Sequence, residues 1–254
     1  MDNVIIRFIE RPVLKNVVLI EGLPGVGNVG KLAAEHLAEE LKFTKFAEIF
    51  SKYLPPQVLV GADGTVQLVK HDLYYKKGAS GDRDMILLTG DYQGLTPEGQ
   101  YELSHETVKL AKEMGVTLIF TLGGYGVIKL VEEPGVLGAV TSLDLKPSLE
   151  KVGVVFLSGE PSSGIIGASG LLLGLGSLEG IPGICLMGET SGYFVDPRSA
   201  RSVLQVLSKY LGFGIDYSSL EKKATQIDEI TSRIKENLEE TDDKERPEDL
   251  RYFG

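Results

Sequence analysis

The sequence predicts an α/β fold: a single domain with a mainly parallel sheet flanked by helices, then a C-terminal helix and an acidic tail. Three observations predict it. Short apolar runs recur along the chain, and most are continuously apolar rather than alternating, as strands covered on both faces are. Segments of helical period separate several of these runs. Cap and turn residues mark the boundaries, with Thr96-Pro97 and Asp196-Pro197 opening helices and Gly115 and Gly212 closing them.

In chain order, strands are expected at Val4–Ile9, Val17–Ile20, Val58–Val60, Val66–Val69, Met85–Leu88, Thr117–Leu122, Val152–Leu157 and Ile184–Met187. A helix is expected over Asn28–Leu41, where Val29, Leu32, Ala33 and Leu37 share one face. A second runs from Pro97 to about Met114. A third starts at Pro197 and buries Ala200, Val203, Leu204, Leu207 and Leu211. Lys70–Lys77, followed by Gly78-Ala79-Ser80-Gly81, reads as an antiparallel excursion at the sheet edge. Ile165–Leu175 is the most apolar stretch, too short to span a bilayer and interrupted by Gly167, Gly170 and Gly174. Gly170 and Gly174, four apart in an apolar helix, allow close packing against a neighbouring element.

After Phe213-Gly214 the pattern changes. Leu220, Ala224, Ile227, Ile230, Ile234 and Leu238 form a narrow stripe on a terminal helix whose other faces are charged. Such a stripe either packs back on the body or pairs with a neighbouring subunit. The expected organisation is therefore an α/β body over residues 1–215, a helix over 216–238 and a flexible acidic tail over 239–254. With the glycine pair, the stripe leads to the expectation of a homo-oligomer larger than a dimer.

Composition excludes several function classes. The 254 residues are 43% hydrophobic and 24% charged, enough for a sizeable core. A formal charge of −10 argues against nucleic acid or an anionic membrane as the main partner. Cys185 is the single cysteine, so no internal disulfide or multi-thiolate zinc site is available. Met1-Asp2-Asn3-Val4 lacks the basic and apolar regions of a signal peptide, and a cytoplasmic protein is expected.

The tail has its own chemistry. From Glu239 to Asp249 seven carboxylates face two basic groups, a net −5 in eleven residues with a proline and no apolar side chain. That composition buries too little surface to offset ordering and reads as a solvated leash. It ends in Leu250-Arg251-Tyr252-Phe253-Gly254. Leu250, Tyr252, Phe253 and the Gly254 carboxylate are the candidate partner-binding residues. Aromatics give contact area at low entropy cost, and a terminal carboxylate can be captured by a lysine or a nest of amides.

Gly25-Val26-Gly27-Asn28-Val29-Gly30 fits G-x-G-x-x-G between a strand and a helix, the setting of a dinucleotide fingerprint. Read on to Lys31-Leu32 it nearly gives a P-loop, failing at Leu32, where a hydroxyl should hold Mg²⁺. The dinucleotide reading lacks a clean acidic partner, since Glu48 lies inside Ala47-Glu48-Ile49. A tight strand-to-helix turn is the preferred reading. Further glycine clusters follow strands at Gly90–Gly94, Gly123–Gly126, Ser158–Glu160 and Gly188–Gly192, and loops there gather where open α/β sheets bind ligands. Asp91, Glu160 and Glu189 are candidates for acid–base work, but capping of backbone amides explains them more simply. No G-x-S-x-G elbow or metal spacing occurs, and His36, His71 and His105 do not cluster. No catalytic residue, cofactor or metal is expected.

Several segments in order carry a resemblance. Gly22-Leu23-Pro24-Gly25-Val26-Gly27-Asn28-Val29-Gly30, Gly90-Asp91-Tyr92-Gln93, Thr121-Leu122-Gly123-Gly124-Tyr125, Gly167–Gly174 and Gly192-Tyr193-Phe194-Val195-Asp196-Pro197 resemble the proteasome assembly chaperone 2-like family, its archaeal members above all. The resemblance implies a non-enzymatic chaperone or adaptor with a nucleoside phosphorylase-like fold. It would self-associate and act on the 20S proteasome in assembly or activation, with a related chaperone paralogue as a further partner. It also implies a C-terminal motif of hydrophobic residue, tyrosine and any residue that docks between proteasome α subunits. Tyr252, Phe253 and Gly254 take those three positions, with phenylalanine in place of tyrosine. The alternative from the glycine loops is a nucleoside phosphorylase-like or nucleotide-binding enzyme.

Overall fold

A computed structural model describes residues 3–79, 82–127, 131–157 and 164–230. Among the described residues eleven strands are formed: β1 (Val4–Phe8), β2 (Val17–Gly22), β3 (Thr44–Ser51), β4 (Val58–Val60), β5 (Val66–Leu68), β6 (His71–Lys76), β7 (Met85–Gly90), β8 (Val116–Gly126), β9 (Val136–Val140), β10 (Val154–Val155) and β11 (Gly183–Thr190). The helices are α1 (Val29–Glu40), α2 (Pro97–Glu113), α3 (Lys146–Glu150), α4 (Ala168–Leu178), α5 (Pro197–Leu211) and α6 over residues 218–230.

Nine strands make one sheet in the order β1-β3-β6-β7-β2-β8-β11-β9-β10, and β4 and β5 form a separate ribbon. The parallel character is concentrated in the centre, where β7, β2, β8 and β11 run together. β1, β3 and β6 extend one side antiparallel, and β9 joins the other side antiparallel to β11. The sheet is thus mixed, with a parallel core. Its central strands are apolar throughout because both faces are covered. In β2, Val18 and Ile20 enter one core with α1 and α5, while Val17 and Leu19 enter the other with α2 and α4.

The expected helix starts are present. Thr96 accepts a hydrogen bond from the Gly99 amide at 3.0 Å and Asp196 from the Ser199 amide at 3.0 Å, each with proline at the first turn. Gly212 closes α5 with φ 80°, a left-handed conformation that glycine adopts without strain.

Several elements differ from the sequence reading. Lys70–Lys77 is antiparallel but not at an edge, because β6 lies between β3 and β7. β3 was absent from that reading, although it supplies Phe46, Ala47 and Ile49 to the core. The reason is Glu48, a buried charge in a strand, which is held by Lys45, Lys70 and Arg7 from the same and adjacent strands. Val152–Leu157 shortens to β10 and is preceded by α3 and β9, neither of them expected.

The terminal helix packs in cis. Leu220 is buried in the core with α1 and α5, and Ala224, one turn on, is buried as well. His36 Nε2 donates to the Asp216 carbonyl at 2.7 Å, leaving Nδ1 to accept from the Ser219 hydroxyl at 3.0 Å. Arg198 pairs with Asp228, and Arg201 with Glu221 at 3.4 Å. The stripe thus packs on the body at Leu220 and Ala224, one of the two outcomes its spacing allowed, while Ile227 is half-buried and Ile230 is 57% exposed. Ile234, Leu238 and the tail with Leu250, Tyr252, Phe253 and Gly254 lie outside the described residues. Among the described residues no helix is long and apolar enough to cross a membrane, and no group of three or more His, Cys, Asp or Glu is placed to hold a metal.

Candidate functional site

The conspicuous glycine segments converge beyond the carboxyl ends of the central strands. β2 runs into Gly22, a short 3₁₀ turn at Val26–Asn28 follows, and α1 begins at Val29. Each glycine but one is explained by contact with the chain itself. A methyl at Gly22 would overlap the Gly30 carbonyl, and one at Gly30 would overlap the Leu122 carbonyl. Gly27, at φ 61°, brings its α-carbon against Thr190, whose Oγ1 would lie 2.8 Å from an added Cβ. Within this turn, Gly25 alone faces open space. This is the tight strand-to-helix turn that the sequence favoured.

The loop's carbonyl groups are also taken up internally. The Gly27 carbonyl accepts from the Asp196 amide at 2.8 Å, the Gly25 carbonyl from the Asn28 amide at 3.0 Å, and the Gly22 carbonyl from Thr89 Oγ1 at 2.9 Å. Gln93 bridges two elements, donating to the Pro24 carbonyl at 2.6 Å and accepting from the Ala168 amide at 3.0 Å. Lys31 is engaged by Asp91 at 2.5 Å and Glu35 at 3.5 Å. Burial alone would lower the Lys31 pKa, but the bond to Asp91 and the Glu35 charge outweigh it and raise the value. The lysine that a phosphate would need is committed to carboxylates.

Gly123–Gly126 and Gly188–Thr190 are not loops. β8 and β11 continue through them in register, with Gly124 opposite Gly188 and Gly126 opposite Thr190. The missing side chains let Val26 rest on Gly124 and Ser199 on Gly188. Of the three candidate carboxylates, Asp91 pairs with Lys31 and Glu189 accepts from the Gly135 amide at 3.0 Å. Glu160 lies outside the described residues. His71 is buried against the Tyr92 carbonyl at 2.8 Å, so the histidines stay apart.

The sequence reading missed Glu21. It ends an apolar strand, is fully buried, and accepts from the Leu23 amide and Ser169 Oγ, both at 2.9 Å. Desolvation pushes its carboxyl up to about 7 against those two hydrogen bonds. Its signal in the sequence was one charged residue at the end of Val17-Val18-Leu19-Ile20. Cys185 lies near it and is inert, since burial pushes its thiol up to about 12. A second missed feature is the apolar rim of this end of the molecule, where Val26, Tyr193 and Phe194 are exposed at 47%, 79% and 46%.

The sequence profile of the PAC2 family matches residues 19–235. The chain belongs to the PAC2 family. The match runs from within β2 through α6 and stops before the acidic tail. Among solved PAC2-like structures, Pyrococcus furiosus PbaB, described as an archaeal proteasome activator, superposes with a TM-score of 0.88 at 41% identity. That alignment covers 92% of this chain and 100% of PbaB. P. furiosus PbaA, described as an archaeal homolog of proteasome-assembly chaperone, gives 0.76 at 32% identity over 94% and 95% of the two chains. An uncharacterized protein of Methanocaldococcus jannaschii, MJ1210, is 45% identical over 95% of this chain and 93% of its own.

Proposed function

We propose that this PAC2 protein is a non-enzymatic adaptor that self-associates and binds α subunits of the 20S proteasome through its C-terminal tail. The observation that carries the reading is the 41% identity with PbaB along nearly the whole of both chains. The lower identity with PbaA favours engagement of an assembled particle over an assembly role. The packed glycines support a binding protein, because the turn that an enzyme would use for a phosphate is filled by Thr190, Leu122 and Asp196.

In this reading Tyr252 and Phe253 enter a pocket between α subunits, Leu250 adds apolar contact, and the Gly254 carboxylate meets a lysine. Residues 239–249, with their net charge of −5, keep the contact segment in solvent and at a distance from the body. Capture from a native lysate tests this. The full chain is expected to retain 20S subunits and a chain lacking Leu250–Gly254 to lose them. Equal retention by both would refute the tail's role.

A further inference from the structure

A small cavity lies where β6, α2 and the start of α4 meet. Its walls include His71, Gln93, Gln100, Leu103, Ser104 and Leu172, and it offers about 10 Å³ to the centre of a water molecule. Two buried polar side chains share this lining. His71 and Ser104 are 2% and 3% exposed, and neither His71 Nδ1 nor Ser104 Oγ has a hydrogen-bond partner within the described chain.

The chemistry of both atoms is fixed by their neighbours. His71 Nε2 lies 2.8 Å from the Tyr92 carbonyl, which can only accept, so Nε2 carries the proton. Burial lowers the ring's pKa against the Tyr92 bond and the Asp72 charge, so at pH 7 the ring is neutral and Nδ1 presents a lone pair. Ser104 supplies a donor on the α2 side. A helical hydroxyl commonly returns to the carbonyl four residues back, as that of Thr107 does to Leu103 at 2.7 Å, and that of Ser104 does not. A buried acceptor and a buried donor left without partners are each costly in a core.

We infer that this cavity is the binding site of one buried water molecule, which donates to His71 Nδ1 and accepts from Ser104 Oγ and so joins β6 to α2. Size selects it, because the space is about what one water requires and leaves no room for a larger ligand. Polarity selects it too. Cavities lined by apolar groups alone stay dry, whereas this one has the two unpaired atoms, and the amides of Gln93 and Gln100 offer a third bond. The water's role is positioning. It completes His71, whose other nitrogen holds the Tyr92 carbonyl, and the next residue, Gln93, ties Pro24 to Ala168. Gln100 holds the same loop through the Gly94 carbonyl at 2.7 Å. One water thus underpins the loop that fastens the glycine turn to α4. The site belongs to the body alone and is independent of the tail and of self-association.

A high-resolution crystal structure of the full chain should show one ordered water within about 3.2 Å of both atoms. A dry cavity, or a direct bond between His71 and Ser104, overturns the inference. Ser104→Val tests it by sign in solution. Serine and valine have similar helix propensities, so the change acts by removing the hydroxyl and filling the cavity. Filling a dry cavity stabilises, whereas expelling a bound water leaves Nδ1 unpaired. In denaturant titration the folding equilibrium constant should therefore fall about tenfold, and a rise would contradict the inference. The amide of His71→Gln keeps a donor for Tyr92 and lacks Nδ1, so in that background Ser104→Val should have little effect. An equal fall in both backgrounds would mean overpacking rather than a lost water, and would also overturn the inference.

Discussion

Glu21 shows how much one side chain can set. Its folded pKa of about 7 stands above the ordinary 4.5, so between those values the folded protein holds a proton that the unfolded chain has released. The stabilisation from that proton is complete below about pH 4.5 and is lost as pH rises through 7. The shift corresponds to something on the order of 3 kcal/mol. Glu21→Gln should flatten thermal stability between pH 5 and 7.5 and melt above wild type at pH 8, as its amide can donate to Ser169 while its carbonyl accepts from Leu23. Glu48 has the opposite sign. Desolvation raises it, but hydrogen bonds from Lys70, Lys45 and Arg7 prevail and hold it at about 2. Its contribution is present above the ordinary carboxylate value and lost as pH falls toward 2. Glu48→Gln should therefore destabilise at pH 7 and matter less at pH 3, with thermal melts at both values as the check. Neither role was legible in the sequence, because a carboxylate in a strand looks the same whether it is neutral and alone or ionised and clamped.

At the scale of elements, the strand-to-helix turn makes the sharper claim. Gly30→Ala pushes a methyl into the Leu122 carbonyl and should lower stability by about 2 kcal/mol. Gly25→Ala meets nothing and should be nearly neutral. Denaturant titration of the pair separates packing glycines from phosphate-binding ones, which would all be structurally tolerant. Leu220→Ala should cost about 3 kcal/mol, as a buried leucine does, and leave the assembled mass unchanged because α6 docks on its own body. The central strands and the capped helices were legible because continuous apolar runs and Thr-Pro or Asp-Pro starts have one physical meaning. β9 was not, because Gly138 interrupts Val136-Leu137-Gly138-Ala139-Val140 where Val154 and Phe156 press against the backbone. The α6 stripe was legible as a stripe, but a spacing pattern does not say whose core it enters.

For the whole molecule, the proposed function makes the described body a scaffold and assigns the specificity to a short segment at the end of a charged leash. The family could be read from an ordered set of glycine motifs that the structure explains as packing, while the proposed site lies outside the described residues. A self-associated adaptor would present several tails at once, and simultaneous engagement would steepen the loss on any tail change. Equilibrium binding to purified 20S proteasome by the full chain, by a chain lacking Leu250–Gly254, and by Phe253→Ala is the direct measurement. Binding should be lost on deletion and weakened about thirtyfold per copy by Phe253→Ala, the effect of removing an aromatic anchor worth roughly 2 kcal/mol. The melting temperature of the body should stay constant in all three proteins. Undiminished binding by the deleted chain, or a body that unfolds without its last five residues, would contradict the account.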